Sequence, residues 1–389
     1  MRYAVVMAFG ISISSVIFAE TIQNQKAYTK ILVEPPLPHG LTLEKRDSYQ
    51  LASFDQAEHV LPSNRTNFTP SGRLPPDINS SRDSSSGRGN ELSLWGRAYL
   101  DTSIGMSQRS GNLSWSIASD ISGKRAPNVL SELSYDGLQI RGLELQSRLL
   151  FVSGMFNDSF LEARIHRGAI TGGETRDSDY NGNNKTQEYS RSLSQNTGDY
   201  VADYSLAYGH SWVRGESFSA DVLAGYSLHK QFVRKQDAIN VVSESGVPEG
   251  APIEGLNSTY QSEWQGPWFG ATLSLQGEQH KFKLQGEVHS ALYYAEANWN
   301  LRDSFMHPKS FEHNATGYGW VLDVSYAYTF NFSPANKTTL GVSYRAEAWA
   351  AEDGLDKLYL ASGEVVSTKL NEVAWGGDAV SIYLKIFVK

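Results

Sequence analysis

Between Gly317 and Phe332 the sequence GYGWVLDVSYAYTFNF alternates without a slip. Tyr318, Trp320, Leu322, Val324, Tyr326, Tyr328, Phe330 and Phe332 fall on one face of an extended chain, and Gly319, Val321, Asp323, Ser325, Ala327, Thr329 and Asn331 on the other. One face is aromatic and oily while the other is small and polar. A strand with lipid on one side and a wet lumen on the other has this pattern, with aromatic residues where bilayer meets water. A soluble β-sandwich, with the polar face outward, is the competing reading.

The alternation recurs. Tyr200–Tyr208, Phe218–Leu228, Phe282–Val288, Leu340–Ala348 and Val380–Val388 each set apolar residues against polar ones at every second position, and weaker runs lie at Leu143–Leu149 and Phe269–Leu275. Short turns sit at Asn157-Asp158, Arg214-Gly215-Glu216, Gly277-Glu278-Gln279 and Pro334-Ala335-Asn336. Long polar connections cover Thr171–Gly198, Lys230–Asn257, Trp299–Gly317 and Ala351–Leu370. Short turns at one rim and long connections at the other are the habit of bacterial outer-membrane barrels. The expected fold is therefore all-β: a transmembrane, antiparallel, up-and-down β-barrel of about ten strands, closed so that lipid meets no free edge. Strands near Asp323, Arg345 and Glu347 exceed what a bilayer needs, so the barrel should project beyond it.

The N-terminus fits export. Arg2, the apolar run AVVMAFGISISSVIF and Ala19-Glu20 read as a signal peptide over residues 1–19. Residues 20–91, rich in Ser, Asn, Pro and Arg, read as a disordered polar extension, and 92–389 as the barrel. No later apolar run is long enough for a membrane helix, and the mean hydropathy is −0.38. The absence of Cys excludes disulfides and thiolate metal sites. A formal net charge of -8 without a Lys/Arg cluster argues against nucleic acid as a partner. The expected location is the outer membrane of a Gram-negative cell, with long loops outside and the extension in the periplasm.

With lipid on the apolar face, Asp203, Asp221, Glu287, His289, Asp323, Arg345 and Glu347 point inward. Mutually paired charges filling a narrow bore is the expected arrangement, since ten strands enclose little more than their own side chains. From about Thr102 to Lys389 the chain resembles the omptins, ten-stranded outer-membrane barrels that are surface endopeptidases. The likeness lies in GPWFGATLSLQGEQHKFKLQGEVH, GWVLDVSYAYTFNFSPANKTTLGVSYRAEAW and SWVRGESFSADVLAGYSLHK. The resemblance implies a water activated between an Asp pair in one loop and an Asp-His pair across a cleft. TRDSDY supplies the first pair as Asp177 and Asp179. The second pair should fall in NWNLR, Asn298–Arg302, which holds neither Asp nor His. Asp303 and His307, and beyond them His313, could serve only if that loop is rebuilt. Leu113 and Asn298 stand near the positions of acids that would hold a basic substrate side chain. A peptide-attacking water needs a proton acceptor, ordinarily His with an orienting carboxylate, so proteolysis is expected to be lost.

The same loop matches the calcium-binding template D-x-D-x-N-G-x5-E, with Asp177, Asp179, Asn181, Asn183 and Glu188 as ligands and Gly182 at the sharp turn. Lys185 and Asn184 depart from it, and a solvated turn-forming loop is the alternative. The expected function is a monomeric surface structural or binding barrel, in contact with outer-membrane lipopolysaccharide and with a peptide or host surface ligand. The alternatives are an endopeptidase using Asp177 and Asp179, and a narrow porin-like pore. Calcium and lipopolysaccharide are the candidate bound groups.

Overall fold

The structure, a computed structural model, describes residues 98–244, 248–333 and 336–388. The expected signal peptide and the whole of the polar extension lie outside the described residues. Eleven strands follow one another: β1 (Ala98–Ile117), β2 (Ser131–Phe151), β3 (Ser159–Gly182), β4 (Thr186–Gln195), β5 (Tyr200–Arg214), β6 (Phe218–Ser243), β7 (Ser258–Gln276), β8 (His280–Asn298), β9 (Phe311–Ser333), β10 (Asn336–Tyr359) and β11 (Val365–Val388). All pairings are antiparallel, and β1 pairs with both β2 and β11, which closes the sheet on itself.

The eleven strands fill ten positions in the wall. β3 pairs with β5 over Ser159–Ala169 and with β4 over Glu174–Gly182, and β6 pairs with both in the same order. β4 and β5 are thus one wall strand broken at residues 196–199. The break is stitched by side chains. Asn196 Oδ1 accepts from Thr175 Oγ1 at 2.9 Å and its Nδ2 donates to the Arg234 carbonyl at 2.9 Å. The Asp199 carboxylate accepts from the Arg234 backbone N–H at 2.6 Å and from its Nε at 2.9 Å.

Apart from β4 and β5 the strands run from 19 to 26 residues. About ten residues suffice to cross a bilayer, so half or more of most strands stands clear of it. The long polar connections expected at one rim are mostly these strand extensions. Residues 186–195, for example, are β4, and Ala351–Tyr359 continue β10. The short turns fall where expected, at residues 152–158, 215–217 and 277–279, with the fourth outside the described residues.

In the half of the barrel next to the short turns, the outer face carries the apolar residues the pattern demands. Tyr318, Trp320, Leu322, Val324 and Phe330 on β9 are exposed, as are Phe269, Leu273 and Leu275 on β7. The expected inward charges are inward. The other half reverses the rule. On β7, Tyr260 and Trp264 point into the bore at 0% exposure, while Gln261, Glu263 and Gln265 occupy the outer face. On β8 the inward row passes from Lys283, Glu287 and His289 to Ala291, Tyr293 and Ala295. The expectation of a charged interior throughout is corrected here. Beyond the lipid the outside is water, so the hydrophobic effect turns the large residues inward. Trp115, Tyr135, Tyr260, Trp264, Tyr293, Trp349 and Trp375 join one buried cluster across the bore. The Trp264 and Tyr293 rings meet tilted, 4.5 Å apart, and Gly319 makes room for Trp349, whose ring a Cβ there would meet at 2.3 Å.

Candidate functional site

The bore is layered. Starting at the short-turn rim, a polar cavity of about 1260 Å³ reaches from the turn at Gly277–Gln279 up to Arg109, Asp203 and His229. A layer of paired charges closes it. The Arg109 guanidinium donates to Asp203 Oδ2 at 2.7 Å and also pairs with Glu347. Asp203 sits 3.0 Å from the Nδ1 atoms of both His166 and His229. Alongside, Arg148 bridges Glu162 at 2.6 Å and Asp221 at 3.1 Å, and Arg164 holds Glu287 at 2.7 Å. The charge layer touches the aromatic one directly: Trp375 Nε1 donates to Glu347 Oε1 at 2.8 Å, and the His229 and Trp349 rings lie 4.5 Å apart.

Past the aromatic layer, Asp177 and Asp179 at the far end of β3 line a second cavity, of about 90 Å³, together with Trp115, Trp299, Arg302 and Asp356. The DSD spacing puts both carboxylates on one strand face. Each is met by a cation. Lys235 of β6 pairs with Asp177, lies 3.3 Å from Ser192 Oγ and reaches over the Trp299 ring. Burial and the neighbouring Asp177 push the Asp179 carboxyl up to about 6, against the pull of Arg302, a hydrogen bond from Ser131 and Lys235. Arg302 is the last residue of the NWNLR stretch, where the resemblance calls for the second catalytic pair.

The other sequence candidates are dispersed. Asp303 and His307 are exposed on the connection between β8 and β9, outside the cavity lining, and His307 Nδ1 lies 2.7 Å from Asn298 Oδ1. His313 is fully buried, with Nδ1 3.0 Å from the Tyr260 hydroxyl and Nε2 3.3 Å from Asp356 Oδ1. The rings of Trp115 at 4.8 Å and Phe311 at 5.2 Å pin its imidazole. Asp356, which also accepts from Thr368 Oγ1 at 2.9 Å, is the acid that sequence reasoning missed. It lies 43 positions beyond His313, and no local spacing links the two. The arrangement has the parts of a carboxylate–histidine site, but only Asp356, not the imidazole, lines the space. At about 90 Å³ that space can hold a few waters.

The calcium template is drawn out rather than closed. Asp177, Asp179 and Asn181 lie on β3, where alternate residues are spaced by about 6.7 Å, whereas one ion needs all its oxygens within 2.3–2.6 Å. Asn181 donates to Glu244 at 3.2 Å, Asn183 Oδ1 accepts from the Asn128 N–H at 2.9 Å, and Glu188 is held by Arg191. Among the described residues no group of three or more His, Asp or Glu is placed to hold a metal.

Residues 103–388 match the sequence profile of one family, described as Protochlamydia outer membrane protein. No curated protein matches the sequence. Among solved structures, the outer membrane protease OmpT from Escherichia coli is similar with a TM-score of 0.58 at 12% identity, over 75% of this chain and 97% of that one. The translocator domain of the autotransporter NalP from Neisseria meningitidis has a TM-score of 0.32 at 11% identity, over 76% of this chain and 90% of that one. At these identities the OmpT likeness speaks for the barrel fold alone.

Proposed function

This chain belongs to the Protochlamydia outer membrane protein family, and on that premise we propose that it is a structural surface barrel, carrying a closed platform beyond the membrane on which ligands dock. The filled upper bore carries this reading. Trp264, Trp375, Tyr260 and Tyr293 are at most 2% exposed; the pore alternative needs an open path where they pack, and the protease alternative needs an imidazole beside Asp177 and Asp179, which the cavity wall lacks. Short turns face the periplasm in barrels of this kind, which supports an extracellular platform and a periplasmic N-terminal extension. On the outer face, Arg141 and Arg167 sit where the apolar band gives way to polar residues, with Arg167 over the Tyr200 ring at 4.3 Å. Two such guanidiniums favour contact with lipopolysaccharide phosphates.

Loss of proteolysis is supported by the chemistry around the Asp pair. With Lys235 and Arg302 beside them and no imidazole on the cavity wall, Asp177 and Asp179 serve as counter-ions. The cavity of about 1260 Å³ favours a second reading, a narrow pore gated by the aromatic layer. One preparation tests all three. Full-length protein refolded with lipopolysaccharide is expected to give no steady current in planar bilayers and no cleavage of dibasic peptides. A steady ohmic current moves the assignment to the pore. Cleavage that disappears in Asp179→Ala overturns both non-enzymatic readings.

A further inference from the structure

The large cavity holds two lysines that neither the platform nor the aromatic layer explains. The cations deeper in the bore are matched, Arg109 with Asp203, Arg148 with Glu162 and Asp221, Arg164 with Glu287, Arg345 with Glu347, and Lys385 with Asp101, while the acids Glu144, Glu278 and Asp323 also line the cavity. Lys281 and Lys283, on the inward face of β8 beside the short-turn rim, are different. Both line the cavity, and neither has an ion pair or hydrogen bond among the described residues. The charges bearing on Lys281 are the cations Lys385, Arg148 and Lys283 and one anion, Asp101, which Lys385 already holds. Those bearing on Lys283 are Glu162, which two arginines share, and Asp323, set against the cations Arg148 and Arg164.

The surrounding wall is small and hydroxylated. Lys283 is flanked by Ser274 on β7 and Ser325 on β9, and Ser325 in turn faces Ser343 on β10. Small side chains leave space in front of the ammonium groups, and the hydroxyls can donate to an anion. Two lysines at positions i and i+2 of a strand stand about 7 Å apart. Like charges held at that separation inside a membrane-enclosed bore repel, and an anion between them relieves the repulsion.

We propose that Lys281 and Lys283, flanked by Lys385 and Arg148, form a binding site for a small soluble anion of the phosphate class, with two or more charges, entering from the short-turn rim. The barrel wall stands between these groups and the lipid, so a headgroup cannot reach them. The site is independent of whether the bore conducts.

Calorimetric titration of the refolded full-length chain with inorganic pyrophosphate tests this, with inorganic phosphate and sodium chloride as comparisons. One pyrophosphate per chain is expected, bound about tenfold more tightly than phosphate and weakening as salt rises. The double variant Lys281→Gln, Lys283→Gln should lose at least about tenfold in affinity, while Lys309→Gln, in the extension beyond the membrane, should change nothing. Amine labelling of the wild-type chain gives a readout that needs no variant. Pyrophosphate should protect Lys281 and Lys283 and leave the exposed Lys124, in the connection between β1 and β2, reactive. No heat at millimolar pyrophosphate, undiminished binding by the double variant, or labelling that pyrophosphate leaves unaltered would each overturn the proposal.

Discussion

At the scale of single residues, Asp179 ties chemistry to pH. In the unfolded chain its carboxyl titrates near 3.9, whereas in the fold it is pushed up to about 6. Below pH 4 it is protonated in both states and costs nothing. Above that, the folded carboxyl must ionise while buried beside Asp177, so its contribution falls as pH rises and is fully lost above 6. Asp179→Asn never ionises. Its thermal midpoint, followed by circular dichroism in detergent, should gain on wild type by a few degrees between pH 4.5 and 7.5, about 1–3 kcal/mol. A difference that does not change with pH would refute this origin. Arg109 is the opposite case, a cation already matched by Asp203 and Glu347. Arg109→Met strands two buried carboxylates and should cost about 3–5 kcal/mol, seen as a lower temperature for the heat-induced mobility shift on gels. The Asp pair was legible in the sequence because its spacing is local. Lys235 and Asp356 were not, because each reaches the site from a strand distant in sequence.

At the scale of elements, the strands and short turns were legible because alternation and turn residues are local signals, and lipid makes the outer face unmistakable. The upper strands were read as polar connections for the same reason. Beyond the membrane their outer face no longer meets lipid, so runs such as Lys230–Ser243, whose buried row is Gln231, Val233, Lys235, Ala238 and Asn240, lose the signature of a lipid-facing strand while remaining strand. The break between β4 and β5 had no sequence signal beyond Gly198 and Asp199, since what holds it is Arg234 on another strand. Asp199→Ala leaves those two N–H groups without their carboxylate and should cost about 1–3 kcal/mol. The loss should stay local, because β3, β5 and β6 keep their own ladders. Hydrogen exchange read by mass spectrometry should quicken over residues 186–200 and remain unchanged in β9 and β10. Uniform quickening around the barrel would mean that the break is no separate unit.

At the scale of the whole molecule, one wall passes through two solvents, and its interior follows. Where lipid lies outside, polar and charged side chains take the bore. Where water lies outside, tryptophans and tyrosines do, and in the proposed reading they seal it. The closed barrel was therefore legible from outward-facing patterns, while the seal was not, because it depends on where the membrane stops along each strand. The seal is therefore separable from the wall. Trp264 and Tyr260 contribute packing across the bore, and their joint replacement by Ala should cost about 3–5 kcal/mol for each ring. The backbone ladder, closed through β1 and β11, should still hold the cylinder. The void would connect the cavity of about 1260 Å³ with the small one at Asp177 and Asp179. In planar bilayers the wild-type chain should then be silent and the double variant should pass current, while its heat-shifted mobility shows a folded barrel. A folded double variant that stays silent would place the barrier elsewhere, in the Arg109–Asp203–Glu347 layer. An already conducting wild type would mean that the rings part of their own accord, which makes the aromatic layer a gate.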